Sequence, residues 1–274
     1  MSKEKIICKS CSNTFYGSYC NVCGEKVINP EDRKLRVFIG DLISALTFAD
    51  SKFWKSIKVI AFNPGRLSLD FIEGRRVGYM KPISIFFLAN LMYFIFPYFS
   101  VFNTSLGTQM NSGFHWNIVR SMVKNELVDK GIAFDEYEKK YNTKTTELSK
   151  LLLILMAVLL SLFLWITHFG KNRLIADQFV LSLEYMTFIL FYPVLLVSLL
   201  FSLLEIIGIY PRNEVITTSI SLAFALYFIG RAEYTFFGST GIRLFMKAFI
   251  GLISLAMSVV LYRILLFFVT FLTL

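Results

Sequence analysis

The chain has 274 residues, a net charge of +9, 55% apolar residues, only 17% charged residues, and 29 phenylalanines. Mean hydropathy is +0.60. Against the usual ~45–50% apolar and ~25% charged content, these values exclude a disordered chain and disfavour an ordinary soluble domain. They predict an all-α polytopic membrane protein with a small soluble part.

All four cysteines lie near the start, at Cys8, Cys11, Cys20 and Cys23. The pattern is two C-x2-C pairs with eight residues between them. Each pair turns two thiolates toward one ion, and two pairs complete a tetrahedral sulfur shell suited to Zn2+. The reading is a zinc ribbon over residues 1–28 holding one structural ion. Two structural disulfides and a redox C-x2-C pair are the alternatives. Ser12 to Tyr19 suit a short hairpin, with Gly17 in the turn and Phe15, Tyr16 and Tyr19 shielding one side. Gly24 lets the backbone turn tightly after the last ligand. No apolar core of a secretory signal occurs in the first 30 residues, so the N-terminus is expected in a reducing cytosol.

Residues 29–82 read as a basic, amphipathic stretch at the cytosolic membrane surface. After the hinge Asn29-Pro30-Glu31-Asp32, Leu35, Phe38, Ile39, Leu42, Ile43 and Leu46 form one apolar stripe. Asp50 or Ser51 can cap a second helix. It carries Phe53, Ile57, Ile60 and Ala61 on one face, with Lys52, Lys55 and Lys58 recurring every third residue. Asn63-Pro64-Gly65 breaks it. A third segment runs from Arg66 to Tyr79 and ends in Arg75, Arg76 and Lys81, a basic cluster expected to meet lipid headgroups. Two other readings are a soluble subdomain packing its stripes together and a nucleic-acid patch. The neighbouring membrane segment explains the basic residues without nucleic acid.

About five spans are expected within residues 83–274, at 83–102, 151–167, 179–204, 215–230 and 244–274. The fourth is short and rich in Ser and Thr, so a re-entrant segment is the alternative there. Residues 103–150 form an outer loop. In it Trp116, Val119, Val123 and Leu127 mark one helical face stopped near Gly131, and Asp135 with Glu138 resembles a capping box opening another helix. Residues 1–81 hold 14 Lys and Arg against 8 acids. With the N-terminus inside, the cytosolic segments hold 19 Lys and Arg and the outer loops 7, which favours that orientation.

Ionisable groups within spans are costly and count as functional candidates. They are Glu184, Glu205, Lys247 and Arg263. Glu184 with Lys247, and Glu205 with Arg263, are candidate ion pairs; snorkelling to headgroups is the simpler alternative. Pro193 should kink the third span. His168 beside Trp165 and Phe169 is explained by aromatic-belt packing, and His115 is a lone loop histidine. No P-loop or dinucleotide fingerprint is present.

The strings CKSCSNTFYGSYCNVCGEKV and FWKSIKVIAFNPGRLSLDFIEGRRVGYMKPISIFFL carry a resemblance over roughly the first 100 residues. Their landmarks are the two cysteine pairs, Pro64-Gly65, Glu73-Gly74-Arg75-Arg76, and Tyr79 before Lys81-Pro82. Weaker echoes lie at Gln178 to Phe188 and Tyr227 to Lys247. The chain resembles an uncharacterised family of bacterial inner-membrane proteins with an N-terminal zinc ribbon, classed as a domain of unknown function. Ser12 departs from it, since glycine more often follows the first pair. The resemblance implies a membrane location and zinc, and supplies no activity.

The sequence therefore predicts a non-enzymatic, multi-pass inner-membrane protein whose zinc ribbon docks a cytosolic protein partner on a lipid-embedded scaffold. A small transporter or lipid-handling protein is the alternative, and an intramembrane enzyme the third reading.

Overall fold

In the computed structural model, the described residues are 5–8, 11–23, 52–76, 78–95, 102, 104–111, 116–168, 174–208 and 214–274. The expected hinge, the helix over residues 35–46, the Asp50 or Ser51 cap, Gly24 and His115 lie outside them. The chain divides into two compact units, Met1–Ser51 and Lys52–Leu274.

In the first unit β1 (Ile6–Ile7) pairs antiparallel with β2 (Thr14–Phe15), Ile6 opposite Phe15 and Ile7 opposite Thr14. The hairpin thus encloses the first cysteine pair instead of lying between the two pairs. The expected turn at Gly17 is present, with φ of 109°. Phe15 is buried with Cys8 and Cys20 against Ile6, while Tyr16 and Tyr19 are exposed instead of shielding the sulfurs.

The second unit is helical. Helix α1 covers 52–62, and α2 is Arg66–Ile72, shorter than the segment expected to reach Tyr79. Gly74, at φ 87°, ends it in a left-handed turn. Then follow α3 (Pro82–Ile95), α4 (Leu106–Asn111), α5 (Trp116–Lys130), α6 (Phe134–Leu151) and α7 (Leu153–Thr167). Helix α8 (Ile175–Ile189) runs through a π-helical segment, Leu190–Leu196, into α9 (Val197–Ile206). Helices α10 (Glu214–Thr235) and α11 (Gly241–Leu272) complete the unit.

Among the described residues three helical stretches are long and apolar enough to cross a membrane: Ile175–Ile206, Val215–Thr235 and Gly241–Leu272. Helices α6 and α7 pass only as a pair bent by 59°, which would make a fourth span among the described residues. Helix α3 is a shorter apolar helix of 14 described residues, and the remainder of the span expected over 83–102 lies mostly outside the described residues. Three to four apolar helices fit a multi-pass membrane protein.

The bend between α6 and α7 has identifiable partners. Backbone carbonyls there are reached by neighbours: Tyr262 Oη donates to Ser149 O at 2.8 Å and Asn90 Nδ2 to Lys150 O at 3.0 Å. Such side-chain insertions stabilise a bend. Pro193 sits within the π-helical segment. Its missing N–H and ring are accommodated by the wider turn, so the expected kink takes this form.

Helices α7, α8 and α11 pack together at the centre, with α3 against α8. Phe53, Ile57, Ile60 and Leu67 of α1 and α2 belong to the same buried core as Phe86, Leu160, Phe188 and Phe228. Beyond the core, Leu106, Val119, Val123, Tyr137 and Tyr141 bury Phe267 near the end of α11. Helices α4 to α6 therefore form a cap on α11. Helix α5 stops at Gly131, as its spacing predicts. The capping box does not form: α6 starts after Ala133, and Glu138 Oε1 instead accepts from Gly107 N at 3.0 Å.

Candidate functional site

The four cysteines converge. Their Sγ atoms all lie within 4.8 Å of one another. Cys8 Sγ is 3.5 Å from Cys23 Sγ, and Cys11 Sγ is 3.6 Å from Cys20 Sγ. These separations are far longer than the ~2.05 Å of a disulfide, and none of the four is disulfide-bonded. The cluster is close enough to hold a metal ion.

Local backbone builds this shell. Ser12 N donates to Cys8 O at 2.9 Å and Cys8 N to Asn13 O at 2.8 Å, closing the first turn. Ser12 has φ of 58°, and is the one non-glycine residue in the left-handed region among those described. That conformation is why glycine is favoured at this position. The Cys23 backbone N–H donates toward Cys20 Sγ. With the Val22 N–H and the Cys11 and Cys23 side chains, and against burial, it brings the Cys20 thiol down to about 6. This lowering favours the thiolate, the metal-binding form, at Cys20.

The helical unit holds two further buried polar sites. Glu184 on α8 is fully buried. Its Oε1 accepts from Gly65 N at 2.8 Å, and its Oε2 from Ser68 N at 2.8 Å and from Ser68 Oγ. Three donors thus compensate a buried carboxylate that would otherwise be prohibitively costly. Gly65 has φ of 82°, and a Cβ there would stand 3.1 Å from Ala232 Cα and Phe236 Cβ. Only glycine lets this turn approach both Glu184 and α10.

Glu184 is consequently not paired with Lys247, whose Nζ donates to Thr167 O at the end of α7. Nor does Arg263 pair with Glu205. Arg263 Nε is buried without a hydrogen-bond partner, and Glu205 lies half-buried at the end of α9.

The second site escaped the sequence reading. His168 Nε2 lies 2.8 Å from Glu233 Oε1, both side chains being buried. The ring stacks on Phe237 at 3.8 Å, and Ser239 Oγ donates to Glu233 Oε2 at 3.2 Å. Beside Glu233 is an apolar cavity of about 30 Å³ among Leu160, Leu181, Tyr185, Phe228 and Leu255. An acid within the last turn of an apolar helix was the available signal for a partner to His168.

Of the expected headgroup residues, Arg75 is engaged within the protein. It donates to Asp70 Oδ1 at 2.9 and 2.6 Å and also pairs with Glu73. These two carboxylates push its guanidinium pKa further up. Arg76 Nε donates to Phe71 O at 2.9 Å and its guanidinium covers the Phe71 ring. Lys81 is exposed, and its carbonyl accepts from Ser84 N and Ile85 N at the start of α3.

No curated protein and no solved structure matches the chain. Residues 50–94, which span α1, the Gly65 turn, α2 and nearly all of α3, are similar to a family described as Protein of unknown function (DUF3667).

Proposed function

We propose that the chain is a non-enzymatic protein of the bacterial inner membrane whose zinc-bearing head docks a cytosolic protein partner. The observation that carries this reading is the closed four-sulfur cluster. A regular tetrahedron of ~2.3 Å Zn–S bonds has sulfurs about 3.8 Å apart, near the 3.5 and 3.6 Å separations of the two cross-pairs. Four thiolates leave no open position for a substrate, as a structural site requires. Around them Ile7, Tyr16, Tyr19 and Val22 are all exposed. So much apolar surface on so small a unit marks a protein contact. The basic bias of residues 1–81 supports a cytosolic head, and Arg75, Arg76 and Lys81 of the helical unit would meet anionic headgroups.

The test is affinity capture from crosslinked native membranes, with metal analysis of the purified chain. One zinc per chain and a reproducible cytosolic partner are expected. Cys8→Ser should lose both, whereas Tyr19→Ala should keep zinc and lose the partner. Unchanged capture by both variants, or labelling of the head by impermeant thiol reagents outside intact cells, overturns the proposal.

A second reading, a small transporter or lipid-handling protein, is favoured by the His168–Glu233 pair beside its cavity. Ionisable groups inside membrane helices often mark transport paths. Solute or lipid flux in reconstituted vesicles, lost in Glu233→Gln, would support it; absence of flux in the wild type would remove it.

A further inference from the structure

A cleft outside both buried sites gathers cations from distant parts of the helical unit. It has a volume of about 650 Å³ and is lined by Asn63, Arg66, Tyr79, Arg231, Tyr234 and Thr235, among others. Asn63 and Arg66 flank the turn between α1 and α2, Tyr79 precedes α3, and the other three lie on the last turns of α10. Arg231 Nη2 reaches Asn63 Oδ1 at 3.5 Å, and its guanidinium lies 5.9 Å from the centre of the Tyr234 ring. Lys55 Nζ, 5.1 Å from the centre of the Tyr79 ring, adds a third cation at the rim.

The described lining residues include no carboxylate. The nearest acid that engages them is Asp70, 3.1 Å from Arg66. Asp70 also accepts from Arg75, which Glu73 engages as well, so those four charges balance and the positive excess at the cleft rests on Arg231 and Lys55. Arg66 is 46% exposed at its side chain, which leaves donors free to turn inward. Two guanidiniums with amide, phenol and hydroxyl donors suit a tetrahedral oxyanion, since arginine forks match phosphate geometry.

The position narrows the class of ligand. Arg231 and Tyr234 stand within the last two turns of an apolar, membrane-length helix, where cations and aromatic rings meet lipid headgroups. Further along the same helix Leu222 and Leu226 are exposed, an apolar flank suited to acyl chains.

We propose that this cleft binds a phosphate group, with Arg66 and Arg231 as its paired ligands. The source is an anionic phospholipid headgroup or free phosphate. The experiment uses the full chain purified in a neutral detergent and read by thermal shift and native mass spectrometry. Phosphatidylglycerol, phosphatidylcholine and inorganic phosphate are titrated separately. Phosphatidylglycerol should bind at least tenfold more tightly than phosphatidylcholine, Arg231→Gln should weaken it about tenfold, and Arg66→Gln with Arg231→Gln should abolish it. Inorganic phosphate binding as tightly as the lipid assigns the cleft to free phosphate; binding of the lipid alone assigns it to a headgroup. Arg231→Gln leaves Asp70 and α2 untouched and removes only exposed contacts to Asn63 and Tyr234, so its unliganded melting temperature should fall by no more than a few degrees, which separates lost binding from unfolding. Wild-type affinity in the double variant, or no binding of either phosphate source, overturns the proposal.

Discussion

The cysteine unit and the helical unit are held together by opposite means. The described head has two two-residue strands and buries Cys8, Phe15 and Cys20 against Ile6. Burying a large apolar side chain contributes about 1.5–3 kcal/mol, while ordering a residue costs about 1.5 kcal/mol. The described part of this core is small, and metal coordination by the four sulfurs, as proposed, would supply the difference. The helical unit instead closes a large buried core that joins α1 to α3 with α7, α8, α10 and α11, and it meets the buried carboxylate of Glu184 with three donors. On the proposed reading one unit depends on a ligand and the other on burial, so perturbations should separate them cleanly.

Metal removal should have the largest effect. Structural zinc sites contribute roughly 10–16 kcal/mol in apparent binding energy. A strong chelator should abolish hydrogen-exchange protection of the Cys8 and Ser12 amides while leaving those of α8 unchanged. Persistent protection in the head would break the comparison. Next is Glu184→Ala, which strands the Gly65 and Ser68 amides. At about 1–3 kcal/mol for each unsatisfied donor, thermal unfolding should show a loss of roughly 3–5 kcal/mol, with Glu184→Gln costing less. Gly65→Ala combines a left-handed backbone with contact against the α10 backbone, for about 2–4 kcal/mol; a neutral result in the same assay would show that the turn can yield. Smallest is Ser12→Gly, which relieves up to about 1 kcal/mol. It should modestly raise the chelator concentration needed to empty the head, without altering the unfolding of the helices.

These regions also differ in how far they could be read in advance. The cysteine ligands lie within 15 positions of one another, and the geometry of two C-x2-C turns allows little else than convergence. The long apolar helices were legible because a hydrocarbon layer demands length and composition alone. The stop of α5 at Gly131 was legible from a left-handed residue. The partners of Glu184 were not. They lie 119 and 116 positions away, and their donors are backbone amides, present at nearly every position. A charged neighbour such as Lys247 looked the better partner because charge is visible in a sequence and an orphaned amide is not. His168 hid for a related reason: Glu233 lies on another helix, and only the packing of α7 end against α10 end brings them together. Asp135 and Glu138 had the spacing of a capping box, but tertiary contact drew Glu138 to Gly107.

The bond between Gly65 and Glu184 has a consequence for biogenesis. Translation proceeds from the first residue onward, at about 5–20 residues per second. The turn emerges 119 residues ahead of the carboxylate that receives it, a delay of roughly 6–24 s. Throughout that interval the nascent α1–α2 hairpin lacks its acceptor, and its apolar side chains need shelter in the insertion machinery. Docking must await the arrival of α8, so the amino-terminal part of the helical unit is completed late, after segments made well behind it.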